Sequence, residues 1–366
     1  MDNSNDHPRP IAVVTGSRAD FGLLTPVMHA IAAHPKLQLQ TVVTGTHLSA
    51  GTIDDVKAAG FAIDAKVTMQ KKVRTGRQAD AAALGRGVVG LTEAFAQLRP
   101  RWVVVLGDRI EALAAASTCA VMGVRLAHLH GGDLAEGVAD DAMRHAVSKL
   151  AHLHLPATKQ SAARLKRMGE PAERIHVVGS PAIDGLDEIT PCPGAPDLIV
   201  MHHPTGRDDA TERRWARAVL AATANKPRKV FLPNHDPGRP GILSAIQELV
   251  DPSQVIEHLP RPDFLRMLKG AKCIVGNSSA GLIEAAALRT PCVNVGDRQA
   301  GRERPRSVID TPPSKRRIVG GLIQASQLDL RRMRSPYGDG HTGPRIAELL
   351  ADRSLDKLPI HKRNAY

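Results

Sequence analysis

Short apolar runs alternate along the chain with longer segments in which apolar residues recur every three or four positions. In the first half, the short runs predict strands at Ile11–Thr15, Leu39–Thr44, Trp102–Leu106, Val124–Leu129, His152–Ala157 and Ile175–Val178. The longer segments predict helices at Leu23–Ala33, Ala79–Leu98, Glu111–Met122, Asp140–Leu150 and Lys159–Met168. Because strands that alternate with helices form parallel sheets covered on both faces, we expect an α/β domain here.

The alternation starts again after a proline-rich break at residues 190–196 (TPCPGAP). It predicts strands at Leu198–His202, Lys229–Leu232, Val255–His258, Lys272–Val275 and Cys292–Val295. It predicts helices at Ala210–Ala222, Gly241–Leu249, Pro262–Lys269, Gly281–Leu288 and Pro344–Ala351, the last able to pack on either domain. We therefore expect two Rossmann-like, doubly wound α/β domains with a central cleft at the carboxyl ends of both sheets.

The predicted domain limits follow from this pattern. They are a flexible N-terminus at 1–9, an N-terminal domain at 10–189, a linker at 190–196, a C-terminal nucleotide-binding domain at 197–342, and a helix with a tail at 343–366.

Composition narrows the classes of function. The net charge is +12, but the basic residues are spread along the chain and aromatic residues make up only 2% of it, so a nucleic-acid partner is not expected. No apolar run is long enough to span a membrane, and the N-terminus has no signal-like segment. The four cysteines are scattered and are expected to be reduced. We expect a cytoplasmic protein whose arginines bind a small anionic substrate.

One glycine motif points away from a dinucleotide cofactor. Gly85–Gly90 matches G-x-G-x-x-G, but it lies inside the predicted helix Ala79–Leu98 instead of following a strand. We expect these glycines to permit close helix packing, and we expect no cofactor.

Seven polar loops follow predicted strands, and their Gly, Ser, Asn and Asp residues suit either turns or a binding site. Candidate chemistry lies in these loops at Arg18, Asp108, Arg109, His130, Asp133, His203, Asn234, Asp236, Ser278, Ser279 and Arg298. The segment GNSSAG (276–281) is the strongest single signal, because small residues at a helix start expose backbone N–H groups that suit a phosphate.

The histidines and acids of the first domain each leave alternatives open. His128 and His130 share one face of a strand, so they suit a metal site, a buried strand end or the floor of an active site; a metal site is not expected, because zinc needs three or four convergent ligands. Asp140 is four residues before Arg144, which suits either a helix cap with an ion pair or a carboxylate held for catalysis. Asp108 either caps the next helix or serves as an acid or base.

Several motifs in chain order resemble one enzyme family. The sequence contains TGSRADFGLL, LGDRIEALAAA, HLHGGD, DDAMRHAVSKLAHLHL, VGSPAID, PNHD, GNSSAGLIEAA and VNVGDRQAGR. Together they resemble the UDP-N-acetylglucosamine 2-epimerases, in particular the hydrolysing branch that makes N-acetylmannosamine. The resemblance implies a glycosyltransferase-B-like fold and a homodimer. It also implies elimination of UDP to a 2-acetamidoglucal, followed by addition of water with inversion at C2.

The resemblance also implies site residues. Arg18, His203, Ser278, Ser279 and Arg298 are expected to hold the diphosphate, Glu284 the ribose, and Asn234 and Asp236 to line the cleft. Asp108 and Asp140 are the acid/base candidates, Arg144 orients Asp140, and Arg109 and Asp133 contact the substrate. His203 is counted with Asp108, His130, Asp140 and Arg144 in the catalytic set.

Two positions depart from part of the family and favour the hydrolysing branch. His130 stands where the non-hydrolysing enzymes and the animal hydrolysing one carry a glutamate, whereas many bacterial hydrolysing enzymes carry histidine; it either transfers a proton or only binds the sugar. Leu23 stands where they carry a lysine. The alternatives are a hydrolysing epimerase for another nucleotide sugar (UDP-diacetylbacillosamine or GDP-N-acetylglucosamine), a non-hydrolysing epimerase, or a glycosyltransferase of the same fold.

Overall fold

A computed structural model describes residues 7–71, 76–134, 141–234 and 236–362. The chain forms two compact units. The first contains the described residues up to Asp133, those from 141 to Asp184 and those from His341 onward, and the second contains Leu134 and the described residues from Gly185 to Gly340. No helix among the described residues is long and apolar enough to cross a membrane.

The first unit is built on a parallel sheet of six strands in the order β3-β2-β1-β4-β5-β6. Its strands are β1 (Arg9–Thr15), β2 (Leu37–Thr44), β3 (Ala65–Val67), β4 (Trp102–Leu106), β5 (Arg125–Leu129) and β6 (Leu153–Leu155). The strand order reverses between β1 and β4, so the loops that follow these two strands diverge at the carboxyl edge. Ligands of doubly wound sheets bind at such a point.

Helices cover both faces of this sheet. They are α1 (Arg18–Ala33), α2 (Thr46–Ser49), α3 (Ile53–Ala58), α4 (Arg77–Leu98), α5 (Ile110–Met122), α6 (Asp141–Leu150), α7 (Lys159–Arg167) and, from the end of the chain, α13 (Thr342–Ala351). Apolar residues of alternating strand positions form two separate cores, one on each face. The last helix packs on α1, and the Asp184 carboxylate accepts the backbone N–H groups of Thr342 and Gly343 at its start.

The second unit repeats the architecture with a parallel sheet in the order β12-β11-β10-β7-β8-β9. Its strands are β7 (Leu198–Met201), β8 (Arg228–Phe231), β9 (Val255–Ile256), β10 (Cys273–Gly276), β11 (Cys292–Val295) and β12 (Val308–Thr311). Its helices are α8 (Asp209–Thr223), α9 (Arg239–Leu249), α10 (Arg261–Gly270), α11 (Glu284–Ala287) and α12 (Lys315–Ser326). The predicted fold class of two Rossmann-like α/β units is confirmed.

Two predicted elements are wrong. The segment predicted as a strand at 175–178 forms only one bridge, between His154 and Ile175, because Pro156 has no N–H to continue the ladder. The helix predicted at 281–288 is a 3₁₀ turn at Ser279–Gly281 followed by the short α11. The sequence pattern also missed β3, β12, α2, α3 and α12.

The G-x-G-x-x-G match lies within α4, and close packing requires two of its three glycines, Gly87 and Gly90. A Cβ at Gly87 would lie 2.6 Å from Cε of Met69, and one at Gly90 would lie 2.7 Å from Cγ1 of Val67. These glycines therefore let α4 approach β3 and the segment after it, as predicted.

Candidate active site

The predicted acids and histidines of the first unit lie at the carboxyl edge of its sheet. Asp108 follows β4, and His130 and Asp133 follow β5; the two strands are paired up to Leu106 and Leu129. The backbone N–H of Gly107 donates to the Leu129 carbonyl at 3.0 Å, which keeps the two loops adjacent beyond the strands. Parallel pairing therefore brings these residues to one sheet edge.

Asp108 forms an ion pair with Arg144 of α6. The Arg144 side chain is 6% exposed, whereas that of Asp108 is 23% exposed, so the carboxylate stays open to solvent while its cation is buried. The predicted alternative that Asp108 caps the next helix is wrong, because Arg109 is the N-cap residue of α5. A carboxylate fixed at one oxygen by a buried cation is suited to transfer protons at a defined position.

The expected pairing of Arg144 with Asp140 cannot be described, because Asp140 lies outside the described residues. The neighbouring acid, Asp141, lies 3.6 Å from Nε of Arg144. Arg144 therefore connects the start of α6 to the loop after β4.

His130 is the centre of a buried hydrogen-bond chain. Its Nδ1 lies 2.7 Å from Oδ2 of Asp133, and its Nε2 lies 3.1 Å from Oγ of Ser180. Ser161 donates to the other Asp133 oxygen at 2.7 Å. His130 has a φ of 61°, in the left-handed region that non-glycine residues rarely adopt. The local structure thus imposes an uncommon backbone conformation on this histidine.

His128, the other histidine of HLHGGD, is part of the interior. It is fully buried, Nδ1 lies 3.0 Å from Oγ of Ser148, and Nε2 lies 2.8 Å from the Gly107 carbonyl oxygen. Burial lowers the pKa of His128 to about 3, so the ring is neutral. Among the described residues, no three His, Cys, Asp or Glu side chains converge as a metal site requires.

Arg109 is held by Glu111, which sequence reasoning did not identify. Nε of Arg109 donates to Oε2 of Glu111 at 3.2 Å, and Gln70 donates to Oε1 at 3.0 Å. Gly16 and Gly45 make room for this carboxylate: a Cβ would lie 2.6 Å from its Cγ at Gly16 and 2.5 Å from its Oε1 at Gly45. Burial lowers the pKa of Arg109, but the charges of Glu111 and Asp20 outweigh it and raise that pKa above its ordinary value.

Arg18 begins α1 directly after the N-cap Ser17. Its side chain is 55% exposed and pairs with Asp55 of α3. Hydrogen bonding to Asp55 raises the pKa of Arg18. Arg18 therefore stands on the surface beside the loop after β1, whereas the other predicted residues that are described in this unit have more buried side chains.

In the second unit, His203 is fixed between two loops at the carboxyl edge. Its backbone N–H donates to Oδ1 of Asn277 at 2.6 Å, and Nδ2 of Asn277 donates back to its carbonyl at 2.8 Å. The backbone N–H of Asn234 donates to its Nδ1 at 3.3 Å. Burial, with the nearby charge of Arg298, lowers the pKa of His203 to about 3. The neutral ring therefore carries its proton on Nε2 as a hydrogen-bond donor.

Arg298 lies against the same two loops. Its Nε donates to the Pro204 carbonyl at 3.2 Å and its Nη1 to the Asn277 carbonyl at 3.4 Å. Asp236, which accepts a 2.6 Å hydrogen bond from Asn234, lies 3.7 Å from Nη2 of Arg298. The Arg298 side chain is 14% exposed. Burial lowers the pKa of its guanidinium, but the ordinary pKa of arginine is so high that the side chain remains a cation.

The GNSSAG segment forms a tight turn instead of the start of a long helix. Ser278 is the N-cap of the 3₁₀ turn and accepts the backbone N–H of Ala280 at 3.4 Å; Ser279 begins the turn. Glu284 begins α11, and its Oε1 accepts a 3.1 Å hydrogen bond from Arg261 of α10. The helix dipole at this position is thus weaker than predicted. Asn277, to which sequence reasoning gave no role, joins this turn to His203 and Arg298.

The two units offer different chemistry. The first presents a carboxylate held by a cation and a His130–Asp133 pair, which suits proton transfer. The second presents Arg298, the neutral donor His203 and a serine-rich turn, which suits a phosphate group.

Comparison with known proteins identifies the family. Residues 29–351 match the family model described as UDP-N-acetylglucosamine 2-epimerase. A UDP-N,N'-diacetylbacillosamine 2-epimerase (hydrolyzing) of Legionella pneumophila is 36% identical over 98% of this chain and 100% of its own length. A UDP-N-acetylglucosamine 2-epimerase of Neisseria meningitidis is 31% identical over 96% of this chain and 98% of its own.

Solved structures agree on the fold. The Methanocaldococcus jannaschii UDP-GlcNAc 2-epimerase, in complex with UDP-GlcNAc and UDP, has a TM-score of 0.76 at 17% identity, covering 93% of this chain and 99% of that one. The glycosyltransferase-B-like fold expected from the resemblance is confirmed. From the match to the family model and the identity to full-length relatives, the chain belongs to the UDP-N-acetylglucosamine 2-epimerase family.

Proposed function

We propose that this protein is a hydrolysing 2-epimerase that converts a UDP-linked 2-acetamido sugar and water into UDP and the free C2 epimer. The observation that carries the proposal is the Asp108–Arg144 ion pair beside the His130–Asp133 pair at one sheet edge. A sugar C2 proton requires an acid or base on each face of the ring. The 36% identity to a relative whose name specifies hydrolysis supports the hydrolysing branch.

The first unit is proposed to carry out the proton transfers. One of Asp108 and Asp140 removes the C2 proton as the C1–O bond breaks and UDP leaves with its electron pair, which gives a C1=C2 double bond. Water then adds its hydroxyl to C1, while the other acid, protonated at the start, gives its proton to C2 on the opposite face. The remaining proton of the water returns to that second carboxylate, and the first carboxylate releases the C2 proton to solvent. Arg144 holds the Asp108 carboxylate in place through both steps.

His130 is proposed to organise the site instead of transferring the C2 proton. Both of its ring nitrogens are within hydrogen-bond distance of protein oxygens, and only 7% of the residue is exposed. Asp108 is more open to a substrate, with 23% of its side chain exposed. We therefore assign to the His130–Asp133 pair, both members of which are buried, the role of organising this loop beside Asp108.

The second unit is proposed to bind UDP. Arg298 and the Nε2–H of His203 stabilise the negative charge on the departing diphosphate, as preorganised donors do in other transfer reactions. Ser278 and Ser279 contribute hydroxyls, and Glu284 accepts from the ribose. In this proposal His203 acts as a donor of a hydrogen bond and does not change its charge.

Two sugars are candidates for the substrate. UDP-N,N'-diacetylbacillosamine is favoured, because the relative with that activity in its name shares 36% of its residues over its whole length. UDP-N-acetylglucosamine, the substrate expected from the sequence motifs, is supported by the relative at 31% identity. The two sugars differ at C4 and C6, and both present the same 2-acetamido group to the proposed acids.

The experiment is incubation of the enzyme with each UDP-sugar alone in D₂O, followed by NMR of the products. UDP, a free C2-epimerised sugar and deuterium at C2 are the expected result. A UDP-linked epimer would indicate a non-hydrolysing enzyme, and release of UDP only with an added acceptor would indicate a glycosyltransferase. Failure of both UDP-sugars and of the GDP-linked analogue would refute the proposed function.

A further inference from the structure

Ser180 lies next to the His130 ring, although no sequence motif assigned it a role. Its Oγ is 3.1 Å from Nε2 of His130 and accepts the backbone N–H of Ala182 at 3.3 Å. Ser180 is fully buried, and it stands at the start of the 3₁₀ turn Pro181–Ile183. The serine hydroxyl is therefore fixed against the histidine by a turn that is itself part of the interior.

The partners of His130 determine where the ring proton lies. Asp133 faces Nδ1, and a carboxylate can only accept, so Nδ1 carries the proton. A ring with its single proton on Nδ1 has an acceptor at Nε2, and the Ser180 hydroxyl is the donor within reach. Oγ of Ser180 is held in place independently, because it already accepts the backbone N–H of Ala182.

We infer that Ser180 is a positioning residue of the site: its hydroxyl donates to Nε2 of His130, holds the ring proton on Nδ1 and thereby aims that proton at Asp133. Ser161 fixes the second Asp133 oxygen at 2.7 Å, so the carboxylate is oriented from both sides. The role in turnover rests on the proposed function, in which the His130–Asp133 pair organises the loop beside Asp108.

The arrangement Ser180–His130–Asp133 has the connectivity of a Ser-His-Asp hydrolase triad, but it serves a different purpose here. A triad serine attacks a substrate carbonyl and must be open to it. Ser180 has no exposed surface. Its hydroxyl therefore acts on the histidine, and we expect no labelling of Ser180 by a fluorophosphonate probe.

The direct test is ¹⁵N NMR of ring-labelled histidine in the wild-type protein, with the His130 signals assigned by their loss in His130→Gln. The expected result is a protonated Nδ1 and an unprotonated Nε2. The opposite tautomer, or fluorophosphonate labelling of Ser180, would overturn the inference. This measurement needs neither turnover nor a Ser180 variant, so it stands even if the proposed substrate is wrong.

Variants connect the tautomer to turnover. Ser180→Ala is expected to lower kcat about tenfold, the effect of losing one buried hydrogen bond in the transition state, and to leave UDP affinity unchanged. Ser180→Cys, which keeps a weak donor, should recover part of the loss. Unchanged kcat and an unchanged His130 tautomer in Ser180→Ala would contradict the inference.

The matched control is Ser148→Ala. Ser148 is also fully buried and lies 3.0 Å from Nδ1 of the other histidine in the motif, His128. Because His128 belongs to the interior, this variant is expected to lower stability without changing kcat. If it lowered kcat as much as Ser180→Ala did, the effect of Ser180 would be general loosening of the fold, and the inference would be overturned.

Discussion

The guanidinium of Arg144 donates to the carboxylate of Asp108, although the two residues lie 36 positions apart in the chain. The contact joins the loop after β4 to α6, whose first turn contains Asp141. Arg144 is almost completely buried, so its charge would strongly destabilise the fold if it were left without a partner. The pair therefore has a structural component as well as the proposed catalytic one, and a test must separate the two.

Asp108→Asn is expected to lower kcat about 1000-fold, because an amide cannot exchange the C2 proton. UDP affinity should change little, since the proposed UDP contacts lie in the second unit. Steady-state turnover with the UDP-sugar and calorimetric titration with UDP measure the two quantities. Near-normal turnover would remove Asp108 from the mechanism.

Asp140→Asn and Asp141→Asn form a matched pair for the second acid. Both remove one negative charge near the start of α6, and Asp141 lies 3.6 Å from Nε of Arg144. We expect Asp140→Asn to lower kcat about 1000-fold and Asp141→Asn to change it less than about fivefold. The reverse order in kcat measurements would assign the catalytic role to Asp141.

Arg298→Ala is expected to weaken UDP binding about 100-fold, because a charge-assisted contact with a phosphate contributes about 2–3 kcal/mol. Arg213→Ala is the control: it removes the same charge from α8, where Arg213 pairs with Glu248 on the surface. Calorimetric titration of both variants with UDP distinguishes a specific contact from loss of net charge. Equal weakening in both variants would contradict the assigned role of Arg298.

Sequence patterning predicted most of the fold, because buried parallel strands carry a strong signal. It did not predict the contacts between residues that are far apart in the chain. The sequence pattern gave no sign that Arg144 would pair with Asp108, which comes from another loop. Ser180 reaches His130 across 50 residues, and only the packed structure shows that contact.

Glu111 was overlooked for a similar reason. An acid in the first turn of a helix is ordinarily explained by the helix dipole. Its burial depends on the missing side chains of Gly16 and Gly45, which precede it by many residues. The helix predicted at 281–288 is shortened to α11, because local composition does not show that Ser278 accepts a backbone N–H and starts a 3₁₀ turn there.

Glu111→Gln is expected to raise KM for the UDP-sugar about tenfold while leaving kcat within about threefold, if Arg109 contacts the substrate as proposed. The amide keeps the shape and the bond with Gln70 but removes the charge that holds Arg109. Michaelis–Menten analysis separates the two parameters. Arg109→Ala should raise KM by a similar factor, and the double variant Glu111→Gln/Arg109→Ala should have a KM close to that of either single variant. If the two effects on KM were fully additive, Glu111 would not act through Arg109.

Buried neutral histidines make the protein sensitive to acid. Burial lowers the pKa of His128 to about 3 and that of His202 to about 4, against an ordinary value of about 6.5. At a pH between the lowered pKa values and the ordinary value of about 6.5, the unfolded chain binds more protons than the folded one. Stability therefore falls as the pH drops below about 6.5. Each such histidine contributes a slope of about 1.4 kcal/mol per pH unit.

His128→Gln should therefore reduce the pH dependence of the free energy of unfolding by about 1.4 kcal/mol per pH unit between about pH 6 and about pH 4. The change of slope is the quantity to compare, because the substitution also alters packing and lowers stability at every pH. Urea unfolding of the wild type, His128→Gln and the exposed control His258→Gln measures it. If His128→Gln kept the wild-type slope, His128 would be equally protonated in both states, and its buried neutral form would be refuted.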